Sequence, residues 1–145
     1  MSEKSYDPRM HTAEHILNQT MVRMFGCERS KNTHIERKKS KCDYHLAKEP
    51  SQQQLQQIEQ QVNEVINSDL LVTDEMVDKK LAAEFLDLSK LPLDAPETIR
   101  VIRVGNYDAC ACIGPHVRRT SEIGKFKITT VSYNNGILRI RFRLN

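Results

Sequence analysis

The sequence predicts an α+β domain, with helices packed on a largely antiparallel sheet, from three features. The first half repeats apolar residues at helical spacing. The second half, from Thr98 onward, alternates them as strands do. Asn134-Asn135-Gly136 then joins the last two strand-like runs in the manner of a tight hairpin. At 145 residues the chain reads as one domain over residues 1–145, long enough for a core of its own.

Each element has a local reason. Asp7-Pro8 is a helix start, a capping carboxylate followed by proline at the first helical position. Met10, Ala13, Leu17, Met21 and Met24 then recur at helical spacing, and Gly26 closes the helix. Residues 27–41 read as a polar loop, after which Cys42, Tyr44 and Leu46 alternate as a strand. Ser51 opens SQQQLQQIEQQVNEVIN, where Leu55, Ile58, Val62 and Val65 mark an amphipathic helix and not a glutamine-rich tract. Leu70-Leu71-Val72 reads as a short strand. Thr73-Asp74-Glu75 reads as the cap and acidic first turn of a helix reaching Leu86. A loop with Pro92 and Pro96 leads to the strands TIRVIRV, YDACAC, KFKITTVS and ILRIRFR. In the last, Ile140, Phe142 and Leu144 share one face, and Arg139, Arg141 and Arg143 read as the wet face of an edge strand.

Composition narrows the classes. The N-terminus has no apolar signal core and no run is long enough to span a bilayer, so the expectation is a cytoplasmic protein without membrane contact. Cys27, Cys42, Cys110 and Cys112 then read as free thiols, some available for metal ligation. The net charge of +3 is compatible with a nucleic-acid partner without arguing for one.

Two short motifs carry chemistry. In HTAEH, His11 and His15 lie one turn apart on one helix face and can aim at one point. The segment is not a metalloprotease HExxH, because Glu14 precedes the second histidine instead of following the first. In CIGPHV, a Gly114-Pro115 turn presents Cys112 and His116. Each motif alone is commonplace. Together they offer three imidazoles and a thiolate, a set suited to tetrahedral Zn2+. Three ligands plus water make a hydrolytic site and four protein ligands a structural one; the spacing leaves both open.

HTAEHIL and CIGPHVRRTSEIGKFKI resemble the two signature segments of the editing domain shared by alanyl- and threonyl-tRNA synthetases, their second additional domain, which also occurs as free-standing alanyl-tRNA editing proteins. KCDYHL resembles the family's RFDF-type strand and QQVNEVIN its following helix, so the resemblance covers nearly the whole chain. It implies hydrolysis of mischarged tRNA, Ser-tRNA(Ala) foremost, with His11, His15, Cys112 and His116 as zinc-binding and catalytic residues. It also implies that Thr33, in the loop before the RFDF-like strand, recognises the serine hydroxyl. A site built around that hydroxyl rejects alanyl esters, because alanine leaves the polar group unpaired. The zinc would position the substrate or activate water.

Two positions depart from the alanyl pattern. Pro115 stands where alanyl-type members have Thr, as in threonyl-type domains, some of which are metal-free. Such a version would edit Ser-tRNA(Thr), with His15 or His116 as general base and Cys112 as a polar wall. Cys110 replaces a commonly acidic residue and reads as a buried small side chain ahead of an extra soft ligand. No second domain is read in the chain, so tRNA recognition falls to this domain or to a partner such as a synthetase. Arg118 and Arg119, beside the second motif, and Lys38 and Lys39 within the cluster Arg29, Lys31, Arg37, Lys38, Lys39 and Lys41 are the candidate tRNA-binding residues. The rival reading is a zinc-binding module that keeps the fold without the activity.

Overall fold

The computed structural model describes residues 7–30, 32–35, 39–86, 88, 94 and 96–145. Helix α1 (Pro8–Phe25) begins where expected. The Asp7 carboxylate accepts from the Arg9 and Met10 amides, Pro8 takes the first turn, and Gly26 ends the helix in the left-handed region at φ 68°. Helix α2 (Gln52–Asn67) opens on a reciprocal capping box between Ser51 and Gln54 and buries Ile58, Val62, Val65 and Ile66.

The α+β architecture with antiparallel strands is as expected, and the strands divide into two sheets. The larger has the order β1 (Asn32–Ile35), β2 (Ser40–His45), β7 (Ile137–Leu144), β6 (Phe126–Asn134). The smaller has the order β3 (Val72–Asp78), β4 (Thr98–Val104), β5 (Asp108–Ala111). Helices α1 and α2 share one core with the larger sheet, built from Ile16, Leu17, Met21, Tyr44, Ile58, Phe126 and Phe142 among others. Those seven side chains are completely or almost completely buried, and Tyr44 alone among them carries a polar tip, which finds a partner on Asn18.

The expected helix from Thr73 to Leu86 is corrected. Residues 72–78 form β3, paired in register with β4 from Val72↔Val104 to Asp78↔Thr98. The acidic residues that resembled a helical first turn are cross-strand partners instead: Asp74 accepts from Arg100 at 3.0 Å and Glu75 from Arg103 at 2.9 Å. The cap lies at Asp78, whose side chain accepts from the Lys80 amide and opens a single turn, α3 (Lys79–Ala82). Tertiary pairing overrides the local signal.

Three smaller corrections follow the same logic. The loop over 27–41 contains β1, paired antiparallel with β2. The strand expected at Leu70-Leu71-Val72 is an isolated bridge from Leu71 to Arg119, with β3 starting at Val72. And β7 is an interior strand between β2 and β6, not an edge, so Arg139 reaches across to Asp43 in a two-pronged pair at 2.8 and 2.9 Å.

A 3-10 turn (Thr120–Ile123) stitches the halves together. The fully buried Thr120 hydroxyl lies 3.1 and 3.0 Å from the Val65 and Ile66 carbonyls and accepts from the Leu70 amide at 2.8 Å. It thereby adds a donor to the carbonyl end of α2, where Val65 and Ile66 also accept from the Ser68 and Asp69 amides at 3.2 Å. No helix among the described residues is long and apolar enough to cross a membrane.

Candidate metal centre

Helix α1 and the turn after β5 bring the two motifs together. The ligand atoms of His11, His15, Cys112 and His116 all lie within 4.8 Å of one another. His11 and His15 are buried, whereas Cys112 and His116 are partly so. Tetrahedral zinc, with bonds of about 2.0–2.3 Å, separates its ligands by about 3.3–3.6 Å. The cluster has the size and chemistry for that ion, with Cys112 Sγ already 3.2 Å from His11 Nε2.

Local packing sets these positions. Gly114 is required by the close approach of the turn to α1: a Cβ there would sit 2.6 Å from His11 Nδ1. Arg100, on β4, donates to the Gly114 carbonyl at 2.7 Å and holds the turn from below. The turn then offers its Pro115 carbonyl to His11 Nδ1 at 3.1 Å.

Two imidazoles have a hydrogen-bonding oxygen behind them, and the third faces a carboxylate beyond hydrogen-bonding distance. His11 Nδ1 donates to Pro115, which leaves Nε2 with its lone pair toward Cys112. His116 Nδ1 lies 2.9 Å from the Thr12 hydroxyl, which itself donates to the Pro8 carbonyl at 3.0 Å and so accepts from the ring. His15 Nδ1 faces Asp108 Oδ2 at 3.6 Å. Such outer partners fix tautomer and ring orientation in metal-binding histidines. The buried His116 Nε2 has no hydrogen-bond partner among the described residues, as expected of a donor waiting for a cation.

The electrostatics agree. Burial alone would raise the Cys112 thiol, but the surrounding imidazoles of His11, His116 and His15 outweigh it and lower its pKa to about 3, the thiolate form a metal needs. Burial, with the charges of His15 and His11, lowers His116 to about 4, so its ring is neutral. Burial opposes a charge on His15, yet Asp108 and Cys112 together raise it to about 10. A cation bound here therefore displaces a proton from His15. Burial also opposes the charge on Asp108, but His15 and Arg29 lower it to about 2, Arg29 binding both its oxygens at 2.6 and 3.2 Å.

A pocket of about 490 Å³ opens beside the cluster, lined among others by Glu14, Asn18, Ser30, Phe85, Leu86 and Cys110. Thr33 is half-buried on β1, and its hydroxyl donates to Ser30 Oγ at 2.7 Å. Ser30, not Thr33, is the hydroxyl on the pocket lining. Cys110 is partly buried and lines the pocket, and its thiol is raised chiefly by that burial.

Of the basic candidates, Arg118 and Lys39 are exposed. Arg119 is exposed too but engaged, its guanidinium donating to Asp69 at 3.0 Å. Arg29 is held by Asp108, and Lys31, Arg37 and Lys38 lie outside the described residues. Sequence reasoning missed Thr12, Asp108, Asn18 and Ser30. The helical spacing of 11, 14, 15 and 18 would have found Glu14 and Asn18 on the histidine face.

Fold and site together define an α+β domain with one buried, soft-ligand centre suited to a divalent metal. Residues 99–141, which carry Cys112 and His116, match the family described as the threonyl and alanyl tRNA synthetase second additional domain. Most of the chain is also similar to alanine-tRNA ligases. It is 33% identical to that of Coxiella burnetii over 126 residues, 86% of this chain and 14% of the relative. It is 32% identical to that of Treponema pallidum over 133 residues, 90% of this chain and 22% of the relative. With Bacillus subtilis the figures are 32% over 126 residues, 84% and 14%. The chain thus spans only a small part of these relatives' length. By sequence it is similar to the second additional domain of threonyl and alanyl tRNA synthetases.

Proposed function

We propose that the chain is a trans-editing deacylase, an ester hydrolase that frees a wrongly attached amino acid from tRNA, with Ser-tRNA(Ala) as its principal substrate. The single observation that carries this reading is the convergence of His11, His15, Cys112 and His116 beside a pocket of about 490 Å³, in a chain similar to alanine-tRNA ligases.

His11, His15, Cys112 and His116 would hold a zinc ion, which would supply Lewis acidity when bound. The chain's own groups do the rest. Pro115, Thr12 and Asp108 hold the three imidazoles in place, so the centre needs little reorganisation when substrate arrives. Ser30 forms part of one side of the pocket, where its hydroxyl recognises the serine hydroxyl, with Thr33 behind it fixing the orientation of Ser30. Phe85 and Leu86 limit water and larger side chains. Arg118 and Lys39, exposed cations, contact the phosphates of the acceptor end, with Lys38 and Arg119 in support.

A second reading has one observation in its favour. Four protein ligands complete a tetrahedron, as structural zinc sites do, which makes a non-catalytic zinc module the alternative. Steady-state deacylation separates the two. Purified, zinc-loaded protein should release serine from Ser-tRNA(Ala) at least ten times faster than alanine from Ala-tRNA(Ala), on the order expected when a polar site loses its partner. Release from Ser-tRNA(Thr) alone would reassign the tRNA. No release from any of them, with zinc retained, would make the chain the module.

A further inference from the structure

Helix α1 turns a polar stripe toward the pocket. His11, Glu14, His15 and Asn18 follow the i, i+3, i+4, i+7 pattern of one helix face, and all four are buried. Two of them are candidate ligands. Glu14 and Asn18 have no place in the zinc centre, and a buried carboxylate oxygen without a hydrogen-bond donor is costly.

Glu14 is held firmly on one side. Its Oε2 accepts a short hydrogen bond from the Asn18 amide. Asn18 is fixed in turn, because its Oδ1 accepts from the Tyr44 hydroxyl at 2.6 Å and from the Ser30 amide at 3.3 Å. The other oxygen is different. Oε1 has His15 Nε2 at 3.9 Å, beyond hydrogen-bonding distance, and no other donor among the described residues. The cation of the same pocket, Arg29, is bound in two-pronged fashion by Asp108. The pocket therefore presents a rigid carboxylate oxygen that accepts no hydrogen bond among the described residues, with His15 as its nearest cation at 3.9 Å, next in sequence to one candidate metal ligand and one turn from another.

We infer that Glu14 accepts the α-ammonium of the aminoacyl ester, making the pocket selective for a free amino group. The inference rests on the deacylase reading for its substrate. In an aminoacyl ester the ammonium sits on the carbon next to the carbonyl under attack. A group that holds it must therefore lie beside the hydrolytic centre, as Glu14 does. An ammonium carries three donors and a full charge, which answers the empty acceptor on a carboxylate oxygen. Anchoring the ammonium also fixes which face of the ester carbonyl meets the centre, a positioning effect.

The test uses Ser-tRNA(Ala) and its N-acetyl-seryl counterpart, which keeps the ester and loses the charge. The wild-type protein should hydrolyse the free-amine substrate about 10- to 100-fold faster in kcat/KM, the value of one charge-assisted hydrogen bond. Glu14→Gln should bring that ratio close to one. Equal rates for the two substrates in the wild type, or a ratio that survives Glu14→Gln, would overturn the inference. So would a loss shared equally by both substrates, which would make Glu14 a proton-transfer or scaffold residue.

Binding gives a readout independent of hydrolysis. Calorimetry with 3′-(L-serylamino)-3′-deoxyadenosine and its N-acetyl derivative should show the same preference in the wild type. If no ester is cleaved but the free amine is still preferred, the deacylase reading fails and the ammonium site stands. If neither analogue binds, or both bind alike, the ammonium site fails. The wild-type comparison decides even if Glu14→Gln does not fold.

Discussion

Thr12 and His116, 104 residues apart in sequence, meet at 2.9 Å between hydroxyl and Nδ1. The same hydroxyl accepts from the Val117 amide at 3.2 Å and donates to the Pro8 carbonyl at 3.0 Å. One side chain of the opening helix thus sets both the tautomer of a metal-facing imidazole and the path of the turn that carries it.

Thr12→Val keeps the shape and removes these bonds. Zinc affinity, measured by competition with a chromophoric chelator, should fall about 10- to 100-fold while the circular dichroism spectrum is retained. Unchanged affinity would remove Thr12 from the centre.

Gly114→Ala tests the packing of the turn on His11. The new Cβ would sit 2.6 Å from His11 Nδ1, so the imidazole must leave its place. Bound zinc should drop well below one per chain, as measured by elemental analysis after dialysis. Full retention would show that the ring can move without cost to the site.

Asp108 joins the metal centre to the fold. With His15 and Arg29 as partners, its folded pKa of about 2 lies below the unfolded value of about 3.9. A depressed carboxylate stabilises the fold fully above the unfolded value and loses that contribution as pH falls through the folded one. Asp108→Asn should destabilise the metal-free protein at pH 6 by on the order of 3 kcal/mol, since it leaves Arg29 partly buried without its partner. Urea titrations should show the gap between wild type and variant closing between about pH 4 and pH 2. A gap that is constant with pH would contradict the pairing.

Thr120→Val serves as the contrast, because Thr120 lies outside the metal cluster. Losing the hydroxyl that serves Val65, Ile66 and Leu70 should destabilise the fold by about 1–3 kcal/mol with zinc stoichiometry unchanged. Denaturant midpoint and metal content, measured on one preparation, would check both halves.

The parts of the molecule legible in the sequence were those governed by local chemistry. The caps at Asp7, Gly26 and Ser51, the Asn135-Gly136 hairpin and the i, i+4 histidine pair each depend on neighbours a few residues away. What the sequence misled on was decided at long range. Thr73-Asp74-Glu75 has a good helical cap pattern, but Arg100 and Arg103 on β4 claim its carboxylates. The arginine face of β7 suggested an edge, whereas β6 and β2 flank it on both sides. Thr12 and Asp108 carry no motif at all; their roles exist only once α1 lies against β5 and the following turn.

The central claim is that His11, His15, Cys112 and His116 bind one metal ion together, and zinc-edge X-ray absorption on the purified protein tests it most directly. One zinc per chain is predicted, with a single sulfur near 2.3 Å and three nitrogens near 2.0 Å, and the sulfur shell should vanish in Cys112→Ser. A protein that binds no zinc after reconstitution, or one whose shell holds only oxygen and keeps its spectrum in Cys112→Ser, would contradict it.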